Sequence, residues 1–234
     1  MAATTRPAPA TVLVTGASKG IGLAIARRFA DAGSHVVVCA RDVSAVARTH
    51  PDLECIACDM ADKAQVQALA RTVLERHGAP ELLVNNAGAY LPGSLHEEAD
   101  GTFEAMIAVN VASAYHLTRA LLPAMLARGS GTIINICSTA SITPYVNGGS
   151  YCIAKHALHG FSKTLREELK PHGIRVVSLL PGATLTASWA GTDLPPERFM
   201  PAEDVAEVAW TAWALSGRSV IEEVLMRPML GDLP

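Results

Sequence analysis

The chain has 234 residues, half of them apolar and 18% charged, with a net charge of −3. That composition excludes a disordered chain, and the mild acidity excludes a nucleic-acid binder working through a broad basic face. At about 150 residues per domain the length fits one large domain or two small ones, and no apolar run reaches the roughly 18 residues of a membrane span.

Residues 1–10 hold two prolines and no apolar h-region, so they read as a flexible lead-in and not as a secretory signal. The run Thr11–Thr15 is a short apolar strand ending at a glycine loop. Ile21–Ala32 follows with helical spacing and stops at Gly33. His35–Cys39 is β-branched and reads as a buried strand, and Leu53–Cys58 as a third. Asp62–His77 is amphipathic and ends at Gly78. Leu82–Val84, Thr132–Cys137, Ile174–Leu180 and Val220–Met226 complete seven strands, with helical stretches at 97–128, 150–171 and 202–216 between them. Apolar strands alternating with helices predict an α/β fold: a single-domain, Rossmann-type, doubly wound parallel sheet of about seven strands, with helices on both faces. It would span residues 11–234. The longest irregular stretch, 183–200, follows a strand C-terminus, where ligands bind in such sheets.

Five cysteines at irregular spacing suit free thiols in a reducing cytoplasm. Cys55 and Cys58 form a C-x-x-C pair, but there is no second pair to complete a zinc site. Three positions apart on a strand they point to opposite faces, so no metal is expected.

The segment Thr15–Gly22 joins the first strand to the first helix and carries Gly16, Gly20 and Gly22 as G-x-x-x-G-x-G. Missing side chains let backbone approach a pyrophosphate, and the helix start supplies oriented N–H groups and partial positive charge. The second strand then runs out through Cys39-Ala40-Arg41. No acid stands there for a ribose 2′-hydroxyl, whereas the Arg41 fork suits a 2′-phosphate and Lys19 adds a second positive charge. NADP(H) is therefore the expected cofactor. The dissenting Asp42 reads as an N-cap for the helix after Arg41.

Tyr151 and Lys155 stand at i, i+4 on one helix face. A neighbouring positive charge favours phenolate, lowering a pKa that is ordinarily about 10, and such a pair can shuttle a proton to or from a substrate oxygen.

With these motifs in order, the chain resembles the short-chain dehydrogenase/reductase family from about residue 11 to its end. The resemblance rests on Thr15–Gly22, Asp59, Asn85-Asn-Ala-Gly88, Asn110, Ser138, Tyr151 with Lys155, and Pro181-Gly182. Lys19 with Arg41 is similar to its NADP-preferring branch. The resemblance implies that Tyr151 is the general acid in carbonyl reduction and the base in alcohol oxidation. Ser138 would hydrogen-bond the substrate oxygen, Lys155 would hold the nicotinamide ribose, and Asn110 would hold a water in a proton relay. On the cofactor side it implies Gly16, Ser18, Lys19, Gly20, Ile21 and Gly22 at the phosphates and Arg41 at the 2′ position. Asp59 with Met60 would meet the adenine, and Asn86, Ala87 and Gly88 the adenosine ribose. Pro181, Gly182, Thr184 and Thr186 would hold the nicotinamide end beside Tyr151 and Lys155.

The 183–200 loop carries Trp189, Leu194, Phe199 and Met200, which suits a small apolar or amphipathic carbonyl or alcohol substrate. The tail from Val220 lacks the Val-Asp-Gly-Gly strand of 3-oxoacyl-carrier-protein reductases. It looks more like bacterial sepiapterin-reductase-like and hydroxy-acid or serine dehydrogenase members. A 3-oxoacyl-carrier-protein reductase remains the alternative, and a non-catalytic dinucleotide-binding redox sensor is the alternative of another class. Val111–Leu126 is apolar on nearly all faces, which leaves one side for a partner chain, and the resemblance implies a homodimer or homotetramer through the 111–126 and 151–169 helices.

Overall fold

A computed structural model describes residues 10–189 and 191–233, without the side chain of Ser188. The expected lead-in over residues 1–9 and Ala190 of the substrate loop lie outside the described residues. Ala10, assigned to the lead-in, is instead buried, and its carbonyl accepts from His35 N at 3.0 Å.

Seven parallel strands form one sheet in the order β3-β2-β1-β4-β5-β6-β7. They are β1 (Thr11–Thr15), β2 (His35–Ala40), β3 (Glu54–Ala57), β4 (Leu82–Asn85), β5 (Gly131–Ile136), β6 (Ile174–Pro181) and β7 (Glu223–Met226). The order reverses between β1 and β4, which opens a crevice at the carboxyl ends of these two strands. The helices are α1 (Gly20–Asp31), α2 (Ser44–Thr49), α3 (Lys63–His77), α4 (Thr102–Ile107), α5 (Ser113–Arg128), α6 (Gly149–Leu169) and α7 (Ala202–Ala214).

Alternation along the strands feeds two cores. Val12, Val14, Val36 and Val38 pack with Ile25 and Phe29 of α1 and with Val205, Ala209 and Trp213 of α7. Leu13, Val37 and Cys39 face the other way, onto Val66 and Leu69 of α3, Leu117 and Leu121 of α5 and Leu165 of α6. Burial on both faces is why these strands read as continuous apolar runs. Cys55 packs toward the first core and Cys58 toward the second, the opposite orientation expected of them.

Some boundaries differ from the sequence reading. β3 and β7 are shorter, beginning at Glu54 and Glu223. These are the outermost strands of the sheet, each with one neighbour to hold its ends. Asp62 is the N-cap of α3, accepting from Ala64 N at 2.8 Å. The stretch 97–128 is not one helix. α4 starts at Thr102, and a π-turn at Ala108–Ala112 separates it from α5. Asp42 accepts from Ser44 N at 2.8 Å, but the N-cap of α2 is Val43, so Asp42 makes its turn one residue earlier than expected. At the outer edge His35, Arg76 and His77 converge on Glu54 at 2.8–3.0 Å, a polar cluster joining β2, β3 and α3 in which Arg76 supplies the ion pair.

Candidate active site

The glycine loop is packed so closely against its neighbours that it leaves no room for side chains. Gly16 has a φ of +64°, and a Cβ there would lie 2.7 Å from Ala87 Cα. At Gly22 a Cβ would lie 2.4 Å from Asn86 Nδ2 and 2.7 Å from Gly16 O. The loop therefore packs directly on the Asn86-Ala87 backbone after β4. Thr15 fastens the two, its hydroxyl accepting from Asn86 N and Ala87 N at 3.0 Å each. Asn86 Nδ2 donates to Thr15 O and Gly16 O. That amide braces the loop from behind.

Lys19 precedes α1, and Arg41 follows β2; both are exposed. Ser18 is half-buried, and Ile21 packs on the first core. Asp59 Oδ1 accepts from Ala61 N at 2.9 Å, which shapes the turn after β3. The Met60 side chain is core, its Sδ 3.7 Å from both the Cys39 and Cys58 thiols. At the other end of the crevice Gly182 N donates to Met226 O at 2.8 Å. Thr184 is buried, its hydroxyl on Gly182 O at 3.1 Å. Thr186 reaches across to the glycine loop, its Cγ2 3.0 Å from where a Gly20 Cβ would stand. Pro181 ends β6. Among these residues the close approaches are Asn86 and Ala87 to Gly16 and Gly22, and Thr186 to Gly20; the Met60 side chain points into the core instead.

The candidate catalytic residues lie close to one another. Ser138 caps a 3₁₀ turn at Thr139–Ser141: its Oγ accepts from Ala140 N at 3.1 Å, and its N–H donates to Ser141 Oγ. Asn110 is fully buried inside the π-turn. Its Nδ2 donates to Ala89 O and Met106 O at 3.0 and 3.1 Å, and its Oδ1 accepts from Ala89 N. The widened turn is a local departure of the sort that recurs at functional sites. Lys155 is buried and donates to Ile136 O at 3.0 Å. Gly88 lies between the two: a Cβ there would stand 2.7 Å from Asn110 Oδ1 and 3.6 Å from Lys155 Nζ.

Burial dominates the electrostatics. It pulls the Lys155 ammonium down from 10.5 to about 8, with a smaller opposing effect of Cys137. It pushes the Tyr151 phenol up, against the Ser138 hydroxyl, which favours the phenolate. The lowering of Tyr151 expected from Lys155 is therefore not what governs this phenol. The ammonium sits 5.7 Å from the ring centroid, and desolvation acts on both groups.

Several contributors lie outside the expected set of site residues. Tyr90 sets its ring edge-on to Tyr151, centroids 5.0 Å apart. A buried chain runs from Thr118 through Asn85 and Asn135 to Ser162, with links of 2.8–3.0 Å, tying β4 and β5 to α5 and α6 behind the site. Tyr90 has no sequence signal, since a lone aromatic after a strand reads as loop. Asn85 and Asn135 were discoverable as amides inside apolar runs, which must find partners when buried. His156 is exposed, with Nδ1 2.8 Å from Cys152 O, and Cys137 and Cys152 are buried packing residues. In the 183–200 loop Trp189 packs against Phe199, centroids 5.1 Å apart, and Phe199 and Met200 are buried.

Comparison with known proteins agrees with this geometry. The short chain dehydrogenase family profile matches residues 10–194. The chain is 36% identical to a granaticin polyketide synthase putative ketoacyl reductase of Streptomyces violaceoruber, over 94% of this chain and 79% of that one. It is 32% identical to a sepiapterin reductase of Chlorobaculum tepidum, over 95% and 97%. Among solved structures, a metagenomic short-chain oxidoreductase in complex with NADP superposes with a TM-score of 0.83 at 36% identity, covering 94% of this chain and 97% of that one.

Proposed function

The chain belongs to the short-chain dehydrogenase family, and on that premise we propose that it is an NADP(H)-dependent oxidoreductase interconverting a carbonyl and a secondary alcohol on a small apolar or amphipathic substrate. The observation that supports the reading is the closeness of Tyr151 to Ser138 and Lys155, and of Lys155 and Asn110 to Gly88. The cofactor fits the glycine loop: the close approach of Gly16 and Gly22 to Asn86 and Ala87 leaves bare backbone beside a helix start, which suits a pyrophosphate. Lys19 and Arg41 would hold a 2′-phosphate, and Asp42 spends its carboxylate on Ser44 N. When bound, NADPH supplies the hydride.

The protein's part is position and the proton. Tyr151 delivers its phenolic proton to the carbonyl oxygen in reduction and recovers it in oxidation. Burial keeps the phenol protonated at neutral pH, and Ser138 stabilises the phenolate left behind and the developing oxyanion. Lys155, buried with a pKa of about 8, is poised to return a proton to Tyr151. Asn110 holds the Ala89 backbone beside Lys155, where a relay water would sit.

The test is NADPH consumption with a panel of 2,3-butanedione, acetoacetyl-coenzyme A, a 6-acylpterin and hydroxypyruvate. Wild type turns over at least one, and Tyr151→Phe binds NADPH but loses about 100-fold or more of the rate. Equal rates remove Tyr151 from the mechanism, and binding without turnover favours a redox sensor. The ketoacyl reductase among the relatives supports 3-oxoacyl thioesters as a second substrate reading, which acetoacetyl-coenzyme A reads out.

Assembly through the 111–126 and 151–169 helices belongs to the same proposal. Tyr115, Leu126 and Ile153 are exposed apolar groups there, and a monomer in sedimentation at micromolar concentration counts against it. A cytoplasmic location is supported by the five free cysteines. Among the described residues no helix is long and apolar enough to cross a membrane.

A further inference from the structure

The helix that carries Tyr151 has no cap from its own sequence. Gly148 stands at the N-cap of α6 without a side chain to offer. One first-turn backbone donor, Ser150 N, is met instead by the 89–101 segment. Glu98 Oε1 accepts from Ser150 N at 2.8 Å, and Glu98 Oε2 accepts from Ser150 Oγ. Ser150 is fully buried, and Tyr151 is the next residue. A carboxylate here meets the positive end of a helix and makes charge-assisted hydrogen bonds, a stronger pairing than a neutral cap.

The chain around this contact is shaped to admit it. A Cβ on Gly149 would lie 2.0 Å from Glu98 Oε1 and 2.5 Å from Gly93 O, and Gly149 has a φ of +30°. A Cβ on Gly93 would lie 2.9 Å from Glu98 Cγ. Gly93 and Gly148 form a parallel bridge, Gly93 N donates to Asn147 O at 3.0 Å, and Ser94 Oγ donates to Asn147 Oδ1 at 2.8 Å. Asn147 itself has a φ of +63°, the one positive value at a non-glycine among the described residues. The same segment starts just after Gly88, which touches Asn110 and approaches Lys155, and it carries Tyr90, whose ring edge meets Tyr151.

We propose that Glu98 is a positioning residue for Tyr151. By clamping the 89–101 segment onto the first turn of α6, it sets the direction of the phenol relative to Ser138 and holds the Tyr90 ring against it. Glu98 acts through Ser150 and touches no reacting atom. The proposal rests on the reading of Tyr151 as the acid–base group.

A surface cavity of about 530 Å³, lined by Leu95, Glu98, Phe103 and Ser150 among others, opens beside the clamp. Water can therefore replace the carboxylate in Glu98→Ala, and the variant is expected to fold. The experiment compares full-length wild type, Glu98→Ala, Glu98→Gln and Tyr151→Phe, using the member of the carbonyl panel that wild type reduces fastest. Glu98→Ala should lose about 10- to 100-fold in kcat, the cost of a misplacement of the order of 1 Å, with NADPH affinity unchanged within about twofold. Glu98→Gln retains an acceptor for Ser150 N and should recover kcat to within about threefold, the worth of a fraction of one hydrogen bond. Amide exchange in the NADPH-bound protein should accelerate at 90–98 and 150–153 in Glu98→Ala. A kcat within about twofold of wild type, an NADPH affinity that falls as far as kcat, or unchanged exchange at 150–153 each overturns the clamp. Should Glu98→Ala fail to fold, Ser150→Ala keeps the backbone bond and removes the hydroxyl one; an unchanged kcat there overturns the proposal equally. Full activity of Tyr151→Phe sinks the acid–base reading itself, whereas an inactive Tyr151→Phe beside an unimpaired Glu98→Ala sinks the clamp alone.

Discussion

Lys155→Met removes a buried charge while keeping the length and flexibility of the side chain. Lys155 is 6% exposed, and burial pulls its ammonium from 10.5 down to about 8. At about 1.36 kcal/mol per pH unit, holding that charge in the folded chain at neutral pH costs about 3 kcal/mol. Methionine escapes this cost but leaves the Ile136 carbonyl without its 3.0 Å donor, a loss of about 1 kcal/mol or more. The net expectation is a gain of about 1–2 kcal/mol, with about 2–4 °C in Tm for each kcal/mol in a chain of this size. The sign with pH follows from the two pKa values. Between about 8 and 10.5 the unfolded chain binds more protons at this position than the folded chain, so wild-type stability from this group rises with pH across that window. The variant has no such term, and its advantage should shrink from pH 7 to pH 10. Thermal and urea unfolding at both pH values read the difference, while NADPH consumption should fall to background. A variant no more stable than wild type at pH 7, or a gap that does not narrow with pH, refutes the assignment of Lys155 as a charge held at the expense of stability.

Arg41→Ala should weaken NADPH by about 10- to 100-fold, the worth of a charge-assisted contact, and leave NADH unchanged; fluorescence titration of both cofactors checks this, and equal losses would place Arg41 away from the 2′ position. Gly88→Ala drives a methyl to 2.7 Å from Asn110 Oδ1, so kcat should fall by about 10-fold or more through displacement of the Asn110–Lys155 corner, with the far-ultraviolet spectrum intact; an unimpaired kcat argues against a role for that corner. Phe29, fully buried with ring centroids 5.1 and 5.4 Å from Trp210 and Trp213, joins α1 to α7. Phe29→Ala should cost about 3–5 kcal/mol in urea unfolding, and a loss below about 1 kcal/mol would show that this contact matters little to the fold.

The strands were legible because burial on both faces writes itself into local composition: Val12-Leu13-Val14 and Val36-Val37-Val38 need no partner to be recognised. The break at 108–112 was not legible. Apolar residues run through it without interruption, and one extra residue per turn leaves the pattern intact while rotating Asn110 toward Ala89. The Glu98 clamp was hidden for a different reason. Its partner lies 52 positions away, and with a helix expected from residue 97 a glutamate in the first turn reads as an ordinary solvent-facing charge. Met60 shows the reverse case: it stands beside Asp59 in the chain, but its thioether is drawn between two buried thiols.

The sequence by itself determined which chemical groups exist and in what order: the glycine loop, the cations Lys19 and Arg41, and the set Asn110, Ser138, Tyr151 and Lys155. Those are covalent facts, and family membership follows from them. Only the tertiary structure decided their protonation and alignment. The i, i+4 spacing places Lys155 on the Tyr151 face, yet what surrounds both groups brings the ammonium down to about 8 and pushes the phenol up. Desolvation depends on every element packed around a charge, and those elements come from across the chain.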